Sequence, residues 1–434
     1  MQSIDRKFLI EAHNDIVSTG KLLFTHELFI CYFIRELKVI RYAFLKRIIG
    51  IFFILLCFHP VAKSQSAISI DGYINDMQSL YYIDEIGWLW ENQLHNRINL
   101  YMYPSNWLRI SLQVRNRFQQ NNLYGQFPDY QNSLGTDPGL LDLTWSLHDN
   151  YNDKAGYIFT TGLDRAWAEF SAGDFVATLG RQRINWGQTM VWNPNDIFNS
   201  YSYFDVDYPE RPGSDALRLQ YYTGMTSNIE LAAKLDSAKN ITASAYYRFN
   251  ALGYDIQLIA GVLQEKDLLA GIGWSGNIEG VSFRGEGSYF RNMDNFSDTT
   301  GDILFSVGLD YTFGNSIWLQ SEVLYSGFAE DQDIYSLSGA LSSDMSVKKL
   351  GFNTWTLFSS ISYPITPLIN TSLAGMYYPE WKGFFIGPSI EASIGNNLKG
   401  SLIFQGFSAK IEDPFGQEKR QNTSIGYIRL KWSF

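Results

Sequence analysis

Residues with catalytic potential are sparse in this chain. The sequence has 434 residues and 5 histidines, of which only His95 and His148 lie beyond position 64. A serine hydrolase would need one of them beside a serine and a carboxylate, and His95 sits among polar residues of an alternating segment, where a hydrogen-bonding role is more typical. No His/Cys cluster has metal-ligand spacing, and no phosphate-binding loop is present. The sequence therefore predicts no enzyme, no cofactor and no metal site, and nothing in it favours nucleic-acid binding.

Arginine is the residue type whose spacing suggests a function. It recurs opposite the apolar residues of alternating segments, at Arg97, Arg109, Arg115, Arg117, Arg165, Arg181, Arg183, Arg218, Arg248, Arg284 and Arg429. Acids on the same faces are fewer, namely Glu91, Glu169, Glu286 and Glu322. Arginine rings favour anion passage, because fixed positive charge offsets the cost of dehydrating an anion, and the guanidinium fork matches carboxylates and phosphates. The alternative is that these arginines only pair with acids and hold a wall together.

A second polar feature is a compact motif in the middle of the chain. It reads LGRQRINWG over 179–187 and WNPND over 192–196, and LDRAW over 163–167 precedes it. These segments resemble the porin-like families of Gram-negative outer membranes, including alginate-export-type and related substrate-selective barrels, which pair a strand ending in G-R-Q with W-G and N-P. The resemblance implies that Arg181 and Arg183 face a lumen and that residues 187–213 fold inward as a constriction loop. The alternative is that Arg181 and Asp196 only tie this loop to the wall.

The two features together define the candidate pore-lining and constriction residues. They are Arg97, Arg115, Arg117, Arg165, Glu169, Arg181, Arg183, Asn185, Asp196 and Arg284.

Elements that could position these residues follow a period of two. In residues 107–118, WLRISLQVRNRF, apolar side chains alternate with serine, glutamine and arginine, and residues 88–102, 281–290 and 303–313 behave in the same way. Such alternation indicates β-strands with one apolar and one polar face, and it does not fit helical spacing. Strands of about ten residues suit a tilted crossing of a bilayer, and aromatic pairs near their ends suit interfacial girdles.

The pattern predicts an all-β fold, a transmembrane antiparallel β-barrel with about 18 strands and 16 as the alternative. Tight hairpins are expected near 236–239, 251–253, 276–277, 314–315 and 395–397, and long links over 119–155, 187–213, 327–350 and 408–423. Short connections are expected to face the periplasm. A TonB-dependent receptor is not expected, because such receptors need an N-terminal plug domain and only a few residues separate the expected signal from the first strand.

The first 64 residues have the features of an export signal. Residues 48–58 read IIGIFFILLCF after Arg41, Lys46 and Arg47, too short to cross a bilayer as a helix. Small residues at Ala62 and Ser64 favour cleavage after position 64. We therefore expect a mis-called or extended leader over 1–40, a cleaved signal peptide over 41–64 and one barrel domain over 65–434.

The C-terminus resembles the recognition signal of outer-membrane proteins. In SIGYIRLKWSF, Ile428, Leu430, Trp432 and Phe434 share one face of a final strand. The resemblance implies that the barrel-assembly machinery is a partner, through Phe434, and that the chain lies in outer-membrane lipid of a Gram-negative bacterium.

Three functions remain open at this point. The first is a channel for passive or substrate-selective passage of small, anionic or sugar-like solutes, including oligosaccharides. The second is a plugged barrel that binds surface polysaccharide or assists capsule assembly. The third is an outer-membrane hydrolase. Conduction separates the first from the second, and ester hydrolysis separates the third from both.

Overall fold

The computed structural model describes residues 67–84, 86–122, 124, 137–152, 155–297, 300–329, 334, 336, 346–412 and 416–434. The leader expected over 1–40 and the signal peptide expected over 41–64 lie outside this part of the chain. Within it, no helix has the length and apolar character needed to cross a membrane. The described residues form strands, turns, loops and one short 3-10 helix, Val347–Lys349.

The described residues contain nineteen β-strands. In chain order they are β1 Ile68–Ile83, β2 Gly87–Ser105, β3 Leu108–Asn121, β4 Thr144–Asn152, β5 Ala155–Ala172, β6 Phe175–Gln182, β7 Ser214–Tyr222, β8 Asn228–Leu235, β9 Ile241–Ala251, β10 Tyr254–Leu263, β11 Asp267–Ile278, β12 Val281–Asn292, β13 Asp302–Thr312, β14 Trp318–Ser326, β15 Trp355–Thr366, β16 Ile369–Tyr378, β17 Gly383–Gly395, β18 Leu398–Glu412 and β19 Glu418–Ser433.

These strands form one closed antiparallel sheet. Each strand from β5 to β19 pairs with the next in sequence, and β19 pairs back with β1 from Tyr73↔Ser433 to Ile83↔Thr423. Two further backbone hydrogen bonds join Gly72 and Phe434, at 3.0 and 2.9 Å. Closure removes the two open edges that a flat sheet would expose to lipid. The predicted β-barrel is confirmed, and its seam is formed by the C-terminal strand.

The barrel has 18 strand positions although the sheet contains 19 strands. One edge of β5 pairs with β3 along residues 156–170. The other edge pairs with β4 over residues 155–162 and with β6 over residues 166–172. Because β4 and β6 lie end to end along the same edge, they occupy a single position. The predicted count of eighteen is confirmed, but β4 was not predicted, since it falls within the long link expected over 119–155.

The two faces of the sheet differ as the alternation predicts. Outward side chains are large and apolar around most of the wall, for example Leu231, Ile272, Leu309 and Ile386, each more than two-fifths exposed in the protein alone. Inward positions carry buried polar and charged groups, among them Arg97, Gln257 and Glu286. An apolar outer surface and a polar interior are typical of β-barrels that span a bilayer.

The connections at the two ends of the barrel differ in length. At the turn end, the end that holds Phe434, every connection is short, such as 173–174 and 396–397; the long connections leave the loop end, including 122–143, 183–213 and 327–354. Two expectations were wrong in detail. The hairpin near 236–239 is short but lies at the loop end. The link expected over 408–423 spans only 413–417, because β18 and β19 stay paired as far as Glu412 and Glu418.

Candidate solute pathway

The central feature of the interior is the segment between β6 and β7, residues 183–213, here called the inner loop. Strand β6 ends at Gln182 after Gly180, whose φ is +113°. A Cβ at Gly180 would lie 2.2 Å from the carbonyl oxygen of Ala166. Glycine is therefore required where the chain leaves the wall. Gln182 stabilises the exit, because its amide donates to the carbonyls of Thr178 and Ala216 at 3.0 and 3.1 Å.

The first part of the inner loop is fixed to β8, β9 and β10. The Trp186 indole donates to Glu230 at 2.9 Å and stacks on Tyr246 with ring centroids 5.1 Å apart. The Gln257 amide donates to the carbonyl of Trp186 and accepts from the side chain of Gln188, both at 2.9 Å. The inner wall thus packs against the apolar surface of the loop and supplies hydrogen-bond partners for its polar groups.

Two carboxylates on β12 and β14 hold the next turn through its backbone. Glu286 accepts from the N–H groups of Gln188 and Thr189, and from the Thr189 hydroxyl at 2.5 Å. Glu322 accepts from three consecutive N–H groups, those of residues 190, 191 and 192, at 3.2, 3.1 and 2.9 Å. Carboxyl oxygens that accept from several consecutive N–H groups fix the backbone that carries those groups. These two acids therefore serve as anchors for the loop and do not balance arginine charge.

The middle of the inner loop is anchored by aromatic packing on β15, β17 and β18. Tyr203 lies against Phe358 with centroids 5.2 Å apart. Phe204 contacts Phe385 and Phe407 at 5.2 and 5.0 Å. Offset and edge-to-face ring contacts add to the burial of apolar area. The principal hydrophobic cluster of the described residues thus lies inside the barrel, between the loop and the wall.

The last part of the loop meets the arginine-bearing strands. Asp207 contacts His95 at 3.2 Å, Arg115 at 3.0 Å and Asn75 at 3.3 Å. Burial alone would raise the pKa of Asp207, but the hydrogen bond from His95 and the nearby Arg115 and Arg117 hold that pKa well below its usual range. Asp207 is therefore an ionised anchor on the side of β1, β2 and β3.

Near its end the loop is fixed to β5 and β1. Arg165 donates to the carbonyls of Glu210 and Arg211 at 2.9 and 2.6 Å. The Tyr73 hydroxyl donates to Glu210 at 2.9 Å. The loop contacts β8 to β14 first and returns to β11, β8 and β7 through Asn195, Phe198 and Asn199. It then contacts β15, β17, β18 and finally β1, β2, β3 and β5, so its contacts extend around the inner wall. It forms a collar, and a collar inside a barrel narrows the passage.

Arg181, Arg97 and Arg284 are paired with acids. Arg181 bonds Asp215 at 2.8 Å and Asp137 at 2.7 Å, and the carbonyl of Leu141 as well. It thereby ties residues 137–141 across the ends of β6 and β7, where β4 replaces β6 in the wall. The other two pairs are Arg97–Asp164 and Arg284–Asp310, each at 2.5 Å.

The remaining candidate residues lie at different distances from the turn end of the barrel. Arg183 lies 3.6 Å from Asp196, which is buried and whose pKa burial raises to about 6. Asn185 is exposed on the collar and accepts from the N–H of Gly187. Glu169 pairs with Arg109 at 2.8 Å near the turn end. Among the candidate arginines, Arg117 is the one with no described carboxylate within ion-pair distance, so its charge is the least neutralised of that set.

A chamber of about 230 Å³ lies between the collar and the strands that carry these arginines. Its lining includes three arginines, two acids and an aromatic ring, namely Arg115, Arg117, Arg181, Asp137, Asp164 and Tyr208. Arg115 also lies over the Tyr208 ring, 3.7 Å from its centroid. The structure thus brings Arg115, Arg117 and Arg181 together, whereas Glu169 and Arg284 lie elsewhere.

Several functional contacts were not predicted from the sequence. The roles of Asp164, Asp207 and Glu230 depend on a loop that crosses from one side of the barrel to the other, and no short spacing reports such contacts. For Glu286 and Glu322, the sequence indicated inward acids but not their backbone partners.

Comparison with known proteins relates this architecture to solved barrels. The chain matches no family model and no curated protein. Its fold is similar to Pseudomonas aeruginosa OccK11 (OpdR), with TM-score 0.53 at 12% identity, covering 85% of this chain and 96% of that one. It is also similar to Acinetobacter baumannii OccAB3, with TM-score 0.53 at 10% identity and coverage of 85% and 100%. The outer membrane protein opdK from Pseudomonas aeruginosa gives 0.50 at 9%, with coverage of 84% and 99%. At these identities the likeness shows a shared porin-like barrel fold.

Proposed function

We propose that the protein is a porin-like channel of a Gram-negative outer membrane, and that small, anionic or sugar-like solutes cross it through the passage narrowed by the collar. The observation that carries the proposal is the placement of the chamber. Arg115 and Arg117 face it from β3, and the collar supplies Tyr208. Two acids also line it, but Asp137 is paired with Arg181 and Asp164 with Arg97 and Arg165. A solute that passes the collar on this side therefore meets the fixed positive charge of Arg117. A water-filled passage with fixed positive charge favours anions over cations.

The fold likeness supports a barrel of the porin type and the outer-membrane location. The narrower likeness to alginate-export-type barrels rests on the motif over 163–196 and stays a hypothesis about the solute. We further propose that the C-terminal strand ending in Phe434 is the signal for the barrel-assembly machinery. Its hydrogen bonds to Gly72 make it the seam strand.

A hydrolase receives no support from the surroundings of His95. This side chain contacts Asp207, Arg115 and the Tyr73 ring, and none of these three is a serine. We therefore propose that His95 positions the collar.

The test is ion selectivity in a planar bilayer under a salt gradient, with Arg117→Gln beside the unaltered protein. We expect anion selectivity that Arg117→Gln reduces, because it removes the least neutralised charge in the chamber. The matched control is Arg420→Gln, since Arg420 lies outside on β19, where its guanidinium donates to Ser408 and to the carbonyl of Lys382.

Cation selectivity, or an equal effect of the two variants, would contradict the role of the chamber. No conductance from protein that shows heat-modifiable gel mobility would favour the plugged, polysaccharide-binding alternative.

A further inference from the structure

The outer face of β1, β2, β3 and β5 carries side-chain amides and a carboxylate, which the outward positions of β8 to β17 lack. Asn96 and Asn116 face each other across β2 and β3, and Thr161 faces Asn116 from β5. Their neighbours show which way they point: His95 and Arg97 are buried inside, whereas Leu94 and Ile98 are exposed outside. By alternation, Asn96 shares the outward face.

These side chains form one continuous hydrogen-bonded row. Asn116 donates to Asn96 at 3.1 Å, and the Thr161 hydroxyl donates to Asn116 at 2.5 Å. Asn96 in turn donates to the carbonyl of Tyr73 on β1 at 3.1 Å. Asn92 and Gln120 form a second outward pair two outward positions closer to the loop end, beyond Leu94 and Phe118. We call this surface, with Asp76 and Gln78 on β1, the outer polar patch.

Asp76 is the most telling member of the patch. It points outward on β1 between Ile74 and Leu80, in the middle of an apolar run that extends from Ile70 to Tyr82. Among the described residues, its only hydrogen-bond partner is Gln78, at 3.0 Å. No described cation lies within ion-pair distance of it. Because Asp76 lies on the outer face beside Leu430 and Leu94, its carboxylate faces lipid chains once a bilayer surrounds the barrel.

Strands β8 to β17 provide the comparison. Over β8 to β17, the outward positions of the described strands carry no acid and no side-chain amide, and the one basic residue is Arg291, at the loop end of β12. Lipid chains offer no hydrogen-bond partners, so amides and carboxylates on a lipid-facing surface are destabilising. Polar groups in membranes are instead typical of protein–protein contacts.

We propose that the outer polar patch binds a second copy of this chain within the membrane. Side-chain amides carry both donors and acceptors, so the patch can be complementary to itself. A two-fold axis along the membrane normal through β2 would place β1 of one copy opposite β3 of the other. Asp76 would then face amide donors around Asn116, which gives the carboxylate the partner that it lacks in a single copy.

A groove beside the patch supports a packed contact. It has a volume of about 520 Å³ and is open on the outer surface between β1 and β17–β19. Leu80, Pro388, Phe404 and Ile428 line it. The groove continues the patch with apolar surface into which side chains of the neighbouring copy can insert.

Site-directed cross-linking in native outer membranes tests the proposal. The only cysteines of the sequence are Cys31 and Cys57, so both are changed to serine and one new cysteine is introduced at Asn96→Cys. The control is Ile272→Cys, an outward position on β11 at the opposite side of the barrel. We expect an oxidation product at twice the chain mass for Asn96→Cys and none for the control. Equal yields from the two variants, or a product with another protein's mass, would overturn the proposal.

A second set of variants tests whether the polar groups cause the association. The triple variant Asp76→Leu, Asn96→Leu and Asn116→Leu should shift native mass spectra in nanodiscs from paired to single copies, with at least a tenfold loss of association. The control changes the outward pair Ser321→Leu and Ser359→Leu, which bond each other at 3.1 Å on β14 and β15. If the unaltered protein and the triple variant are both found as single copies, and the triple variant has the higher melting temperature, the patch faces lipid. That result would overturn the proposal.

Discussion

The anchoring of the collar by Glu322 yields a quantitative prediction. Glu322 is buried and accepts from three consecutive backbone N–H groups of the inner loop. Glu322→Ala leaves these donors without an acceptor. At a net value of about 1 kcal/mol for each hydrogen bond, the turn loses ~3 kcal/mol. A loss of that size corresponds to a roughly hundredfold rise in local opening, since 1.4 kcal/mol is about a factor of ten.

Hydrogen–deuterium exchange of a peptide that covers residues 188–192 measures this opening directly. The barrel strands should exchange as before, because the wall does not depend on the anchor. Exchange in Glu322→Gln should fall between that of the unaltered protein and that of Glu322→Ala, since the amide keeps one of the two acceptor oxygens. The control is Glu391→Ala, which removes an acid from an exposed pair with Lys399 near the turn end. Unchanged exchange over 188–192 in Glu322→Ala would refute the anchoring role.

Three further predictions concern the exit, the buried acid and the arginine cluster. Gly180→Ala should destabilise the protein by ~2 kcal/mol or more, visible as a lower melting temperature in heat-modifiable gel mobility, because its φ of +113° and the close carbonyl of Ala166 exclude a side chain. Burial raises the pKa of Asp196 to about 6; the stability that this shift provides is complete below the ordinary carboxyl pKa of about 4 and is lost as pH rises through 6. The melting temperature should therefore fall between pH 4 and pH 7 in the unaltered protein and fall less in Asp196→Asn. Arg181→Glu should lower the yield of folded barrel, because the new glutamate would lie beside the buried acids Asp137 and Asp215. Arg183→Glu should fold and shift reversal potentials toward cations. Equal folding yields for the two arginine variants would contradict this difference.

Alternation determined how much of the fold could be predicted. Each strand has to present an apolar side to lipid and a polar side to the interior, so the period of two is visible in the sequence, and the strand positions and their number follow from it. Strand β4 escaped because its residues, TWSLHDNYN, are largely polar. It pairs only with residues 155–162 at the loop end of β5, and this edge of β5 is open to it because β6 pairs only with residues 166–172.

The collar could be predicted in outline but not in its contacts. The motif over 179–196 indicated an inward loop, and Gly180 gives the physical reason for its start. The anchoring contacts escaped because Glu322 binds backbone N–H groups, which carry no residue identity. The outer polar patch escaped for a different reason. Asn96 and Asn116 interrupt otherwise apolar faces, and such interruptions become informative only when neighbouring strands are seen to align them.

The conductance of a collar-deleted protein tests the central claim most directly. Residues 188–209 would be replaced by a short glycine–serine linker, and single-channel conductance in a planar bilayer would be compared with that of the unaltered protein. Because the inner loop contacts strands on all sides of the inner wall, the deletion should raise the conductance several-fold and weaken anion selectivity. Equal conductance and equal selectivity in a deleted barrel that still shows heat-modifiable mobility would contradict the claim that the collar defines the passage.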